Sequence, residues 1–126
     1  MDEARVRAIE RSRTALDYLA VLRDAVDRAE ERGRDICAGL ERGESLARVF
    51  GSAGAADGRK QLTDTVAEYE RLRHEARLYL MLLARSEGMS KSDIARAWGI
   101  SPQWAGHEVD AAHRLVADDS ESEPVG

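Results

Sequence analysis

At 126 residues the chain has room for one domain, or for a long helical arm carrying a small head. Hydrophobic residues make up 43% and aromatics only 5%, so a core must be built from Leu, Val, Ile and Ala, and 34% charged residues suit helices with solvated faces. No apolar run approaches the ~20 residues of a membrane span, the N-terminus MDEARVRAIERSR lacks a signal-peptide core, and the single Cys37 excludes an internal disulfide. Neither a membrane-spanning nor a disulfide-stapled secreted protein is expected, and the expected location is cytoplasmic.

Residues 3–32 contain neither Gly nor Pro and predict one long helix. Ala8, Ser12, Ala15, Leu19, Leu22, Val26 and Ala29 alternate steps of four and three, which places them on one face, with Ile9 and Leu16 widening the stripe. Gly33 is the expected C-terminal stop. Two short helical turns fit residues 35–41 and 44–50, and Gly51 to Gly58 reads as a flexible linker closing an N-terminal segment, 1–59. Cys37, with no base in its segment, reads as a small buried residue.

A second long helix is expected over 60–86, with Leu62, Val66, Tyr69, Leu72, Ala76, Tyr79, Leu80 and Leu83 on its apolar face. Its end, Leu-Tyr-Leu-Met-Leu-Leu-Ala, is apolar nearly all round and predicts burial on several sides. The two long helices form either a hairpin or a coiled-coil arm shared by two chains. The predicted fold is therefore all-α: such an arm followed by a C-terminal helix-turn-helix, with residues 60–116 as one domain. Residues 117–126, ADDSESEPVG, hold four acids and no base and read as a solvated, disordered tail, leaving the rest of the chain near about −1 out of −5.

The most specific stretch is GMSKSDIARAWGISPQWAGHEVDAAHRLV. Ser90 with Asp93 makes a capping box, Ile94 and Trp98 face inward, Gly99 allows a tight turn, Ile100 plugs the core, and Ser101 and Pro102 open the next helix. The series Ile94-Ala95, Trp98-Gly99-Ile100, Ser101-Pro102 and Ala105 resembles the helix-turn-helix of sigma-factor C-terminal domains and response regulators. Residues 60–116 are similar to small actinobacterial helix-turn-helix proteins, in keeping with a basic set in which only Lys60 and Lys91 are lysine. The resemblance implies a recognition helix over 102–116 lying in the major groove of double-stranded DNA. Ser101, Gln103, Gly106 and His107 would stand at its front with Trp104 partly out, Ser90, Lys91 and Ser101 would hold the phosphate backbone, and Arg114 would join the DNA-binding set.

Between Ser86 and Val116 this chain departs from the usual basic pattern, setting Lys91, Arg96 and Arg114 against Glu87, Asp93, Glu108 and Asp110. Phosphate neutralisation supplies most non-specific affinity, so a homodimer, or Arg77 and Arg85 of the long helix, is expected to compensate. The resulting expectation is a homodimeric transcriptional regulator. The alternative is a protein-interaction module, in which the helix-turn-helix and the apolar end of the long helix bind a sigma factor or another regulator. No nucleophile motif, phosphate loop or carboxylate–histidine repeat is present, so neither enzymatic activity nor a cofactor is expected. His107, Asp110 and His113, spaced by three, read as solvated or DNA-facing groups rather than a metal site.

Overall fold

A computed structural model describes residues 2–122, all-helical apart from short connections. Five helices follow one another: α1 (Glu3–Glu41), α2 (Leu46–Ala53), α3 (Ala55–Ser86), α4 (Lys91–Trp98) and α5 (Pro102–Ser122). The chain divides into two compact units, Thr14–Leu72 and a unit joining Met1–Arg13 to Arg73–Gly126. This division differs from the 1–59, 60–116 and 117–126 partition expected from composition, because α1 and α3 each contribute to both units.

In both units α1 packs antiparallel against α3. Within Thr14–Leu72 the Arg32 guanidinium donates to the Gly58 carbonyl at 3.0 Å. A Cβ on Gly58 would run into that same Arg32 side chain, so this glycine serves close approach rather than flexibility. The long helices thus pair within one chain.

Four expectations in this half are corrected. α1 does not stop at Gly33 but continues to Glu41, absorbing the short turn expected at 35–41. A glycine inside a helix costs only about 1 kcal/mol, too little to end a helix that is packed on both sides of it. The chain turns instead at Gly43, whose φ is 82° and whose N–H bonds to the Leu40 carbonyl. The linker expected at 51–58 is helical except at Gly54, whose left-handed conformation (φ 64°) separates α2 from α3. Cys37 is exposed. So is Leu16, at 63%, while Ala15 and Ala25 take the buried seam.

Unit Met1–Arg13 with Arg73–Gly126 holds the better core. Met81, Ala84, Ile94, Ala95, Ala105 and Val109 are buried together, with Met89, Trp98 and Ile100 packed against them. The apolar end of α3 is largely enclosed, as its composition predicts: Leu78, Tyr79, Met81 and Ala84 are buried, Leu82 and Leu83 are half-buried, and Leu80 is exposed. α5 runs on through Ser122, so residues 117–122 are helix rather than disordered tail; residues 123–126 lie outside the described residues. Among the described residues no helix is long and apolar enough to cross a membrane.

Candidate nucleic-acid interface

Two helices meeting at a sharp corner form this site, and local chemistry sets each boundary. α3 ends at Ser86, and the chain turns at Gly88 (φ 91°), where the Met89 N–H reaches back to the Ala84 carbonyl. Ser90 then caps α4: its hydroxyl accepts from the Asp93 N–H at 3.0 Å, and the Asp93 carboxylate accepts from the Ser90 N–H at 3.2 Å. These bonds hold the Asp93 carboxyl below its usual range, the Ser90 contacts first and Arg96 after them. Gly99 (φ 69°, ψ 33°) closes α4 in the left-handed conformation, and the Ile100 N–H bonds to the Ala95 carbonyl at 2.9 Å. Ser101 caps α5 through the Trp104 N–H at 3.0 Å, with Pro102 at the first helical position, where no amide is needed.

This corner fixes which face of α5 points outward. Ala105, Glu108, Val109 and Ala112 are buried, so Gln103, His107, Asp110 and Arg114, spaced by three and four, line the opposite, exposed side. Ser90, Lys91 and Ser101 lie at the surface as well. A Cβ on Gly106 would stand about 4 Å from the Lys91 side chain, an ordinary contact distance, so this lysine of α4 lies beside the first turns of α5. Trp104 is 53% exposed, its ring centroid 6.3 Å from that of His107. All seven residues expected at the site (Ser90, Lys91, Ser101, Gln103, Trp104, His107 and Arg114) are therefore at the surface on α4, α5 or their caps.

Charge balance at this face differs from the formal count. Glu108 is only 4% exposed and accepts from Arg77 of α3 at 2.8 Å. Glu87 is paired with Arg5 at 2.8 Å, and Asp93 with Arg96 at 2.6 Å. Among the described residues Lys91, Arg114 and Asp110 form no ion pair, so the uncompensated charges favour the basic side. The same geometry withdraws Arg77 from the expected set of auxiliary cations, because it is committed to Glu108. Arg85, exposed, donates to the Met89 carbonyl at 3.0 Å.

A polar cluster with no forerunner in the sequence pattern ties down the far end of α5. Asp119 accepts from the Tyr79 hydroxyl and, at 3.0 Å, from Arg11, which also pairs with Glu75 at 2.9 Å. The Arg11 guanidinium stacks over the Tyr79 ring, 5.0 Å from its centroid. The hydrogen bond from Tyr79 first, then those from Arg11, hold the Asp119 carboxyl below its ordinary value, while burial pushes the Tyr79 hydroxyl up. No local signal predicts this, since Arg11 lies 108 residues from Asp119. Among the described residues no group of three or more His, Cys, Asp or Glu side chains is placed to hold a metal ion. Comparison with protein-family models, curated proteins and solved structures gave no match for this chain.

Proposed function

We propose that this protein binds double-stranded DNA through α5 and acts as a homodimeric transcriptional regulator. The observation that carries the reading is the corner at Gly99, which buries one side of α5 and leaves Gln103, His107 and Arg114 in line on the other. Gln103 suits the bidentate edge of adenine, and His107 suits a guanine edge or a phosphate. Lys91, Arg114 and the hydroxyls of Ser90 and Ser101 supply backbone contacts, with Trp104 offering an apolar contact to a thymine methyl or a sugar. One such unit reads too few base pairs to be selective, which is the reason for two copies.

Site selection from random duplexes at low salt tests the proposal. An enriched sequence is expected, and binding should fall steeply as salt rises because counterions are released with each phosphate contact. Replacing Gln103 and His107 by Ala should abolish the preference while leaving helicity unchanged. Absence of any enriched sequence at low salt overturns the reading.

A second reading, a surface for a sigma factor or another regulator, is favoured by Trp104, a large aromatic left 53% exposed on α5. The apolar end of α3 lends it less, because Leu78, Tyr79, Met81 and Ala84 are taken up by the core. Complex formation through Trp104 would barely respond to salt, which separates the two readings in one titration.

A further inference from the structure

The unit Thr14–Leu72 is short of a core. Its buried side chains are Ala15, Ala25 and Val49, and nothing larger than valine is enclosed anywhere in its 59 residues. Larger apolar groups stand outside: Leu16 is 63% exposed, Val26 41%, Leu40 44% and Val66 43%. Domains of about 60 residues are marginal even with well-filled interiors, so a seam of alanine and glycine between two helices is half of a structure.

These exposed groups share one face. On α1, Leu16, Leu19, Arg23, Val26, Glu30, Gly33, Cys37 and Leu40 follow steps of three and four, as do Arg59, Leu62, Val66 and Tyr69 on α3. Each stripe lies roughly 50–100° further round its helix than the buried seam, at about 100° per residue. Because the helices run antiparallel, an equal rotation in the same sense brings both stripes to the same side of the pair. Leu19, Leu62 and Tyr69 are half-buried along its middle.

We infer that this open face of the α1–α3 arm is the seat of a second copy of the chain, so that two arms close into a four-helix bundle. The dimensions fit that occupant. α3 flanks this face of α1 from Leu16 to about Arg32, which lies against Gly58, so the face is about 24 Å long at ~1.5 Å per residue and about 20 Å across two helices, and α1 alone carries it about 12 Å further to Leu40. Its footprint of roughly 600 Å² is about three quarters of the ~800 Å² per partner that a stable, specific dimer buries. Arginines at 23 and 59 border the apolar groups, and their stems add cover while their charged heads reach water. The inference supplies the second copy that the regulator reading calls for, yet stands without it, since the arm is separate from the DNA-facing residues.

Solution mass of the full chain without DNA is the test. The wild type should show about twice 13.9 kDa at micromolar concentration. The double variant Leu16→Glu, Val66→Glu should show the single-chain mass, or a dimer dissociating at least a hundredfold more readily. Leu46→Glu, on α2 and off this face, should leave the dimer intact. Alkylation of the sole cysteine, Cys37, on the wild-type chain provides a reading free of mutation, and its rate should fall as concentration rises through the dissociation constant. A single-chain wild type, a double variant that dimerises as well as the wild type, or Cys37 reactivity independent of concentration would each overturn the inference. A dimer that selects no DNA sequence would instead sink the regulator reading and leave this one standing.

Discussion

Replacing Gly33 and Gly99 by alanine should move stability in opposite directions. Both positions face open space, with nothing within 4 Å of the methyl that alanine adds, so the effect is one of backbone conformation alone. Gly33 lies inside α1 with ordinary helical geometry, and exchanging it for alanine stabilises a helix interior by about 0.5–1 kcal/mol. Gly99 sits at φ 69°, where an L side chain costs about 1–2 kcal/mol, less ~0.4–1 kcal/mol from a stiffer unfolded chain. Gly99→Ala should therefore destabilise by roughly 1 kcal/mol, and the two variants should melt on the order of 5 °C apart. Thermal and urea unfolding followed by circular dichroism reads this directly. Repeating the melts at several protein concentrations separates the backbone effect from any change in association, since Gly33 lies on the open face of the arm. If Gly33→Ala destabilised the protein, the helix would end there, as the sequence suggests; if Gly99→Ala changed nothing, the chain would not take the left-handed conformation between α4 and α5.

Met81, fully buried at the junction of α3 with α4 and α5, should cost about 2–4 kcal/mol when cut to alanine. A urea midpoint shifted by less than a quarter of that would show the core is not centred there. Removing either half of the Arg77–Glu108 pair should be unequal. Arg77→Leu strands a carboxylate that is 4% exposed and should cost about 3 kcal/mol, whereas Glu108→Leu leaves an arginine whose side chain is 30% exposed and should cost about 1 kcal/mol. Equal losses would contradict the burial asymmetry. The Asp119 carboxyl titrates lower folded than unfolded, so its contribution is present above the unfolded value near 3.8 and disappears as pH falls through the folded one. Tyr79→Phe removes the leading cause of that depression. An NMR titration should show the Asp119 value rising toward 3.8 in the variant, and an unchanged value would deny the hydrogen bond.

The parts of the molecule legible in its sequence are those governed by neighbours in the chain. Ser90 with Asp93, Gly99 and Ser101-Pro102 mark their helix ends because each cap bonds within three or four residues, and the outward side of α5 follows from Ala105, Val109 and Ala112. The misread parts depend on distant partners. Gly58 looks like linker material until the Arg32 side chain lies across it. Asp118 and Asp119 look like tail until Arg11 and Tyr79 are brought to one of them. Leu16 and Val26 fit an apolar stripe as well as Ala15 and Ala25 do, and spacing alone does not decide which of two adjacent stripes faces the other helix. Glu108 counts as surface charge until Arg77, one helix away, takes it inside.

The unit carrying α4 and α5 is assembled from both ends of the chain, and Arg11 must find a carboxylate more than a hundred residues further on. Loop entropy favours closing the contiguous stretch 14–72 first and admitting the early residues to the second core only afterwards. During synthesis the first turns of α1 therefore wait, exposed, until the last helix has left the ribosome. Trimming those first turns, far in sequence from Gln103 and His107, would remove Arg7 and Arg11 and untether the carboxyl end of α5.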